Sequence, residues 1–304
     1  MDEIYLKEIG EHISSIPNSI INSFITKIEK PINHAGILVR IFGRVKSCAS
    51  LKNKLNIKTY GMDHKIQDLF GVRITVYFKD DIEICKAIMQ RIFQVDNISE
   101  DRGNETTFKS EKLNIVCKIP DDIKEELEES LFQGIIDDTF EIQIRTVFSE
   151  GWHEVEHDMQ YKCQNEWNNE EDDVKRSFNG IYATLITCDW AIIKLFDDRA
   201  YTKYKNKDWV SMLRNKFRIK FSSSSINEVF LKNDGFMKEV FKMDREQIVY
   251  LLSCCDLPLT MDNFLYIANS IFIKNKDIEA SEIIEKSVRN ILKNSRFKEL
   301  LSTC

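Results

Sequence analysis

The chain has 304 residues, a formal net charge of −6 and 43% hydrophobic residues, enough apolar material for one large domain or two smaller ones, and two are expected. The acidic balance argues against coating nucleic acid through overall charge, but leaves a local basic groove open. The eight cysteines form no CxxC, the N-terminus is charged from its second residue, and charges break every apolar stretch well short of a bilayer span. A soluble, cytoplasmic protein with no disulfide framework and no membrane contact is therefore expected. Residues 2 to about 30 carry apolar positions at helical spacing, interrupted by Pro17 and closed by Pro31, so two helices are predicted there. ILVRIFGRV (37–45) reads as a strand, and Ser47 caps a short helix through Leu55. LFGVRITVYF (69–78) reads as a second strand, DDIEICKAIMQRIF as a helix and KLNIVCKI (112–119) as a third strand. Pro120 and Asp121 then open an acidic helix, PDDIKEELEESLF.

The stretch from Phe140 to Lys162 combines a strand and a helix. Alternation puts Glu141, Gln143 and Arg145 on one face and Phe140, Ile142 and Ile144 on the other, the core face. After Thr146, a predicted N-cap, Val147, Phe148, Gly151, Trp152, Val155, Met159 and Lys162 follow helical spacing, with Glu150, Glu154 and Asp158 expected toward water. Alternating strands and helices indicate an α/β sheet domain ending near residue 163. Beyond it a polar lead-in is followed by a long helix from Val174 to about Phe196. Residues 207–304 read as several helices, broken at the Ser222–Ser225 run, at Asp234-Gly235 and at Leu257-Pro258. The predicted segments are thus 1–36, 37–163, 164–206 and 207–304.

Arg44 and Lys46 lie one pleat apart at a strand-to-helix turn, with Lys54 two helical turns on. Such a cluster suits a polyphosphate, because guanidinium forks and helix N–H groups both favour phosphate oxygens, and it equally suits a solvated basic face. Asp68, before the second strand, and Glu141 come from different strands. Two carboxylates beside a basic rim meet what Mg²⁺ asks of a protein when phosphates supply its remaining ligands.

In combination these pieces resemble the RelA/SpoT-type alarmone synthetase domain. GRVKSCASLKNKL (43–55) resembles its ATP-grasping segment, DLFGVRI (68–74) the segment with a metal aspartate, and EIQIRT (141–146) the segment with a second metal ligand or base. Trp152, Glu156, His157, Tyr161 and Lys162 match the family's following helix. The resemblance covers about residues 37–163. It implies a nucleotidyltransferase-like mixed sheet flanked by helices, an α/β (α+β) fold here followed by an all-helical C-terminal domain. It also implies Mg²⁺-dependent transfer of the β,γ-diphosphate of ATP to a nucleotide 3′-hydroxyl. Arg44 would lie against adenine, Lys46, Ser50, Lys54 and Arg73 would hold ATP, and Asp68 and Glu141 would be catalytic and hold the metal. Lys109, Lys112, Asn114, Gln143, Arg145, His157 and Lys162 are assigned to the acceptor and its phosphates.

Two departures stand out. The family's Gly-Tyr-x-Ser-x-His stretch, whose tyrosine stacks on guanine, is replaced by Glu111-Lys112-Leu113-Asn114-Ile115-Val116-Cys117. The acceptor is therefore open among GTP, GDP, adenine nucleotides and an RNA 3′ end, with Leu113 or Lys112 in the place of the tyrosine and Lys109, Lys112 and Lys118 keeping the region basic. The short N-terminus also leaves no room for the hydrolase domain of long members. His153-Glu154-Val155-Glu156-His157 fits the zinc motif HExxH, but no histidine follows to complete it. Tyr201–Phe221 holds seven Lys or Arg among aromatics; it is read as an amphipathic helix burying Trp209, Met212, Leu213 and Phe217, and stays the candidate face for an RNA or protein partner. A homo-oligomer and a catalytically silent nucleotide sensor remain open.

Overall fold

The computed structural model describes residues 13, 16–57, 60, 64–101, 112–132, 134–156, 159 and 172–279. The elements are α1 (Asn18–Ala35), β1 (Val39–Val45), α2 (Cys48–Ile57), β2 (Phe70–Val76), α3 (Asp81–Ile92), β3 (Val95–Asp101), β4 (Lys112–Lys118), α4 (Asp121–Lys124) and β5 (Thr139–Thr146). They are followed by α5 (Val147–Val155), α6 (Asp172–Lys205), α7 (Trp209–Phe217), α8 (Glu228–Leu231), α9 (Asp234–Lys242), α10 (Arg245–Leu252), α11 (Met261–Ala268) and α12 (Lys276–Glu279). The chain divides into two compact units that are not collinear with it. One comprises Met1–Glu29, Val39–Val76 and Met89–Ile186, the other Lys30–Leu38, Tyr77–Ile88 and Thr187–Cys304.

The first unit holds a five-stranded sheet in the order β1-β2-β5-β4-β3. Strands β2 and β5 pair parallel at its centre and the other pairs are antiparallel, so the sheet is mixed. Its core face carries Val72, Ile74, Leu113, Ile115, Cys117, Phe140, Ile142 and Ile144, all buried. The N-terminal part of α1 covers that face with Ile20, Phe24 and Ile28. Phe24 contacts Phe70 and Phe140 at ring separations of 5.7 and 4.5 Å. Gly43 is required on this side, since a Cβ there would come within 2.6 Å of Ile21. The opposite face keeps the polar members of each strand, and the site is built on it.

The structure departs from the local reading in three places. Helix α1 passes through Pro31 and ends at Ala35. Proline costs one helical hydrogen bond, whereas the turn beyond it buries Ile32 and Ala35, and the stop is Gly36 at φ +68°, where a Cβ would also sit 2.4 Å from Leu259. The acidic segment after Pro120 makes only the turn Asp121–Lys124 and the 3₁₀ turn Glu129–Phe132. Glu125, Glu126, Glu128 and Glu129 repel at helical spacing, and Ile123, Leu127 and Leu131 are buried without a continuous helix. Strand β3, VDNISED, has no alternating apolar pattern to announce it and forms by pairing with β4.

In the second unit, α7 buries Trp209, Met212, Leu213 and Phe217 as expected for an amphipathic helix. Several cations of the preceding basic stretch are paired: Lys203 with Asp208 at 3.0 Å, Lys207 with Asp234, and Arg218 with both Asp80 and Asp197. Arg218 closes α7 in the left-handed conformation, φ 49°. Arg245 donates to the Phe217 carbonyl at 2.8 Å and pairs with fully buried Asp81 at 2.5 Å. Burial pushes the Asp81 carboxyl up to about 6, against the pull of Arg245. The six described cysteines are free, and among the described residues no helix is long and apolar enough to cross a membrane.

Candidate active site

Strand register aligns the polar face into rows. Arg44 of β1 lies opposite Gly71 of β2, which lies opposite Glu141 of β5; one pleat along, Phe42, Arg73, Gln143 and Asn114 form the next row. Gly71 leaves a gap between Arg44 and Glu141, and nothing in the fold fills the place of its absent Cβ. The gap belongs to a cavity of about 270 Å³ lined by Phe42, Arg44, Lys46, Asp68, Gly71, Arg73, Glu141, Gln143 and Glu150, among others.

The basic rim closes on Asp68. Lys46 Nζ is 2.5 Å from Asp68 Oδ2 and Lys54 Nζ is 2.8 Å from Oδ1. Burial alone would push the Asp68 carboxyl up, but the two ammonium groups outweigh it and hold it below its ordinary value. Lys54, where burial is likewise opposed by Asp68, is raised. Ser47 caps α2 as predicted, its Oγ accepting from Ser50 N at 3.2 Å, and Ser50 is engaged with this cap rather than with the cavity lining.

A hydrogen-bond chain orients Glu141. Arg73 Nε donates to Gln143 Oε1 at 3.4 Å, and Gln143 Nε2 donates to Glu141 Oε2 at 3.1 Å. Arg73 is in turn held by Glu150 and, at 2.6 Å, by Glu154. The second oxygen of Glu150 takes Arg145 Nη1 at 3.1 Å. Arg145 is only 2% exposed, lies outside the cavity lining, and its Nε has no partner; burial lowers its pKa.

Thr146 caps α5, its Oγ1 accepting from Ser149 N at 3.0 Å. The facing of α5 is a correction: Glu150 points inward and Val147, Val155 and Met159 outward, with Trp152 alone of the large apolar positions buried. The helix lies on the polar side of the sheet, so its inner face must offer carboxylates to Arg73 and Arg145. Glu150, Phe42 and Gly71 are thus site residues that the linear reading missed. A carboxylate one turn into a helix that follows an Arg-bearing strand was the available signal for the first.

Of the residues that the resemblance assigned to the acceptor, Asn114 lies opposite Gln143, and its Oδ1 is buried without a partner. Lys112 is at the far end of β4, opposite Asp101. Leu113 faces the core, so it cannot stand in for a base-stacking tyrosine. Lys118 does not keep the region basic: it pairs with Asp138 at 2.9 Å, which Lys124 and Lys118 together hold well below the carboxylate range. Lys109, His157 and Lys162 lie outside the described residues. Among the described residues no group of three or more His, Cys, Asp or Glu side chains could hold a metal ion. The carboxylates Asp68 and Glu141, which both line the cavity, still fit a hard cation whose other ligands are phosphate oxygens.

Residues 43–166 match the family model described as a region found in RelA / SpoT proteins. The GTP pyrophosphokinase YjbM of Bacillus subtilis (strain 168) is 31% identical over 131 residues, 40% of this chain and 56% of that protein, so this chain spans only about half of that relative's length. Similar solved structures include a GTP pyrophosphokinase family protein from Streptococcus pneumoniae (21% identity, 65% of this chain and 95% of that one, TM-score 0.48). Small alarmone synthetase 1 of Bacillus subtilis bound to its product pppGpp is another (22% identity, 64% and 97%, TM-score 0.48).

Proposed function

We propose that this chain, which carries a RelA/SpoT region over residues 43–166, is a Mg²⁺-dependent pyrophosphokinase that moves the β,γ-diphosphate of ATP to the 3′-hydroxyl of a nucleotide and releases AMP. The observation that carries the reading is the single cavity where Arg44 and Lys46 meet Asp68 and Glu141. Lys46 and Lys54 occupy both oxygens of Asp68. A bound polyphosphate competes for those two ammonium groups, which frees a carboxylate oxygen at the place where phosphate charge is densest.

Arg44, Lys46 and Lys54 neutralise the triphosphate. Glu141, oriented by Gln143, takes the proton of the 3′-hydroxyl as its oxygen bonds to the β-phosphorus; the bond from that phosphorus to the α,β-bridging oxygen breaks and AMP leaves. Asp68 and Glu141 would hold Mg²⁺, which would supply further charge neutralisation and fix the phosphate geometry. Gln143 and Asn114 face the acceptor side.

With Leu113 in the core and Lys118 neutralised, β4 offers no ring for a guanine, so discrimination among acceptors is weak. Incubation with γ-labelled ATP and a panel of GTP, GDP, ATP, ADP and deacylated tRNA, followed by product separation, tests both parts. Labelled 3′-diphosphate product with AMP release supports the reaction, and the distribution over the panel identifies the acceptor. No AMP release with any acceptor would leave a nucleotide-binding module instead, and clean selection of GTP or GDP would defeat the weak-discrimination reading.

A further inference from the structure

We propose that the second unit carries a binding surface for single-stranded RNA, formed where the last turns of α6, helix α7 and helix α9 bring Tyr201, Tyr204, Lys205, Lys216 and Phe241 together. The surface lies outside residues 43–166 and goes beyond the diphosphate transfer proposed above, holding whether or not the first unit performs that reaction.

Folding sorts the aromatic residues of the basic stretch 201–221 into two sets. Trp209 and Phe217 enter the core, whereas Tyr201 stays 51% exposed and Tyr204 half-buried. The two tyrosines meet Phe241 of α9, a ring that the stretch alone could not supply. Tyr204 stacks on Phe241 with ring centres 4.6 Å apart and planes 17° from parallel, and Tyr201 stands 6.3 Å from the same ring. Three adjoining rings, one of them half open to water, make a platform on the scale of roughly two or three bases. Such a platform takes any base, because every base has a π-face.

The charges around the rings favour a polyanion. Lys205 lies over Tyr201 at 5.5 Å and Lys216 over Phe241 at 5.8 Å. Among the described residues neither lysine pairs with a carboxylate, and Lys238, exposed one turn before Phe241 on α9, has no such partner either. The carboxylates nearby in the chain are already engaged: Asp198 with Lys194 at 2.7 Å, Asp208 with Lys203 at 3.0 Å, Asp234 with Lys207, and Glu239 with Lys242 at 3.0 Å. The surface is thus locally cationic in a chain whose net charge is −6. An exposed cation–π contact is weak, so an incoming base can take the ring face while the displaced ammonium pairs with the flanking phosphate. The apolar face of a protein partner would bury those ammonium groups without a counter-charge. RNA fits better than DNA because the hydroxyls of Tyr201 and Tyr204 have no partner among the described residues and can donate to, or accept from, a ribose 2′-hydroxyl.

The test is a fluorescence-anisotropy titration of the full chain against an unstructured RNA of roughly 15 nucleotides, DNA of the same sequence and an RNA duplex, over a range of salt. Wild type should bind the single-stranded RNA most tightly and the duplex least. Tyr201→Ala should weaken RNA binding by about 5- to 150-fold with the salt dependence unchanged, since it removes a stack and no charge. Lys205→Gln combined with Lys216→Gln should lower the slope of log affinity against log salt by about 1.4. Tyr201→Phe keeps the stack and should only narrow the gap between RNA and DNA. All three side chains reach water, and melting midpoints equal to wild type check that the variants fold. Full RNA affinity in Tyr201→Ala, or an unmoved salt slope in the lysine variant, overturns the surface. Equal affinity of wild type for DNA and RNA overturns the assignment to RNA, and tighter binding of the duplex overturns single-strand recognition. No RNA binding by wild type at low salt overturns the proposal and leaves the patch to a protein partner. None of these outcomes depends on AMP release, so the pyrophosphokinase reading stands or falls separately.

Discussion

Glu150 is the carboxylate on which the polar face of the sheet depends, and Glu150→Ala measures that dependence. Its two oxygens bridge Arg73 and Arg145, and Arg145 is 2% exposed with no other carboxylate partner among the described residues. Removing one partner from a buried pair costs about 3–5 kcal/mol, because an uncompensated charge is left behind. Glu150 keeps 16% of its surface exposed, so some water reaches the vacated place and the lower end, about 3 kcal/mol, applies. For a chain of this size that is a drop in thermal midpoint of roughly 5 °C. The matched control is Glu154→Ala: that side chain is 54% exposed and, among the described residues, pairs with Arg73, which keeps Glu150 and Gln143. Its loss should cost less than about 1 kcal/mol. Thermal unfolding followed by circular dichroism at neutral pH reads both. If Glu150→Ala melts within about 2 °C of wild type, or if Glu154→Ala costs as much, the clamp is not what holds the face together.

Glu141→Gln keeps shape and hydrogen-bonding capacity near Gln143 while removing the proton acceptor, so AMP release should fall by about 10²- to 10⁴-fold with the fold intact; near-wild-type turnover would clear Glu141 of the role. Gly71→Leu meets nothing within 4 Å at its Cβ and grows into the cavity, so the melting midpoint should hold while AMP release drops on the order of 100-fold. Asp81 supplies a pH signature: its folded pKa of about 6 lies above the unfolded 3.8, so its contribution is present below pH 4 and is lost as pH rises through about 6. Urea midpoints between pH 4 and 7 should show up to about 3 kcal/mol of that loss in wild type and a flatter profile in Asp81→Asn; parallel profiles would refute it. His153→Ala should leave activity largely unchanged and purified protein should hold no stoichiometric zinc; zinc bound by the wild type and lost on substitution would revive the HExxH reading of 153–157.

Local pattern determined much of this protein. Period-two alternation in Thr139–Thr146 assigns Glu141 and Gln143 to one face and the isoleucines to the other, because neighbouring side chains in a strand point oppositely whatever lies beyond. Thr146 and Ser47 cap their helices through bonds to residues three positions on, a contact set wholly by the nearby chain. Arg44, Lys46, Lys54 and Asp68 were recognisable as a charge constellation for the same reason: they flank one strand-to-helix turn and the start of the next strand. What pattern could not decide was the partner of each charged side chain, since that depends on which strand lies alongside. Glu150 looked solvated until Arg73 and Arg145 of two parallel strands were placed beneath it. Lys118 looked free until Asp138 was brought to it. Strand β3 has too little apolar alternation to form by itself and exists because β4 offers an unpaired edge. Asp81 and Arg245, 164 positions apart, meet only in the folded chain, where removal from water and mutual pairing together set their charge.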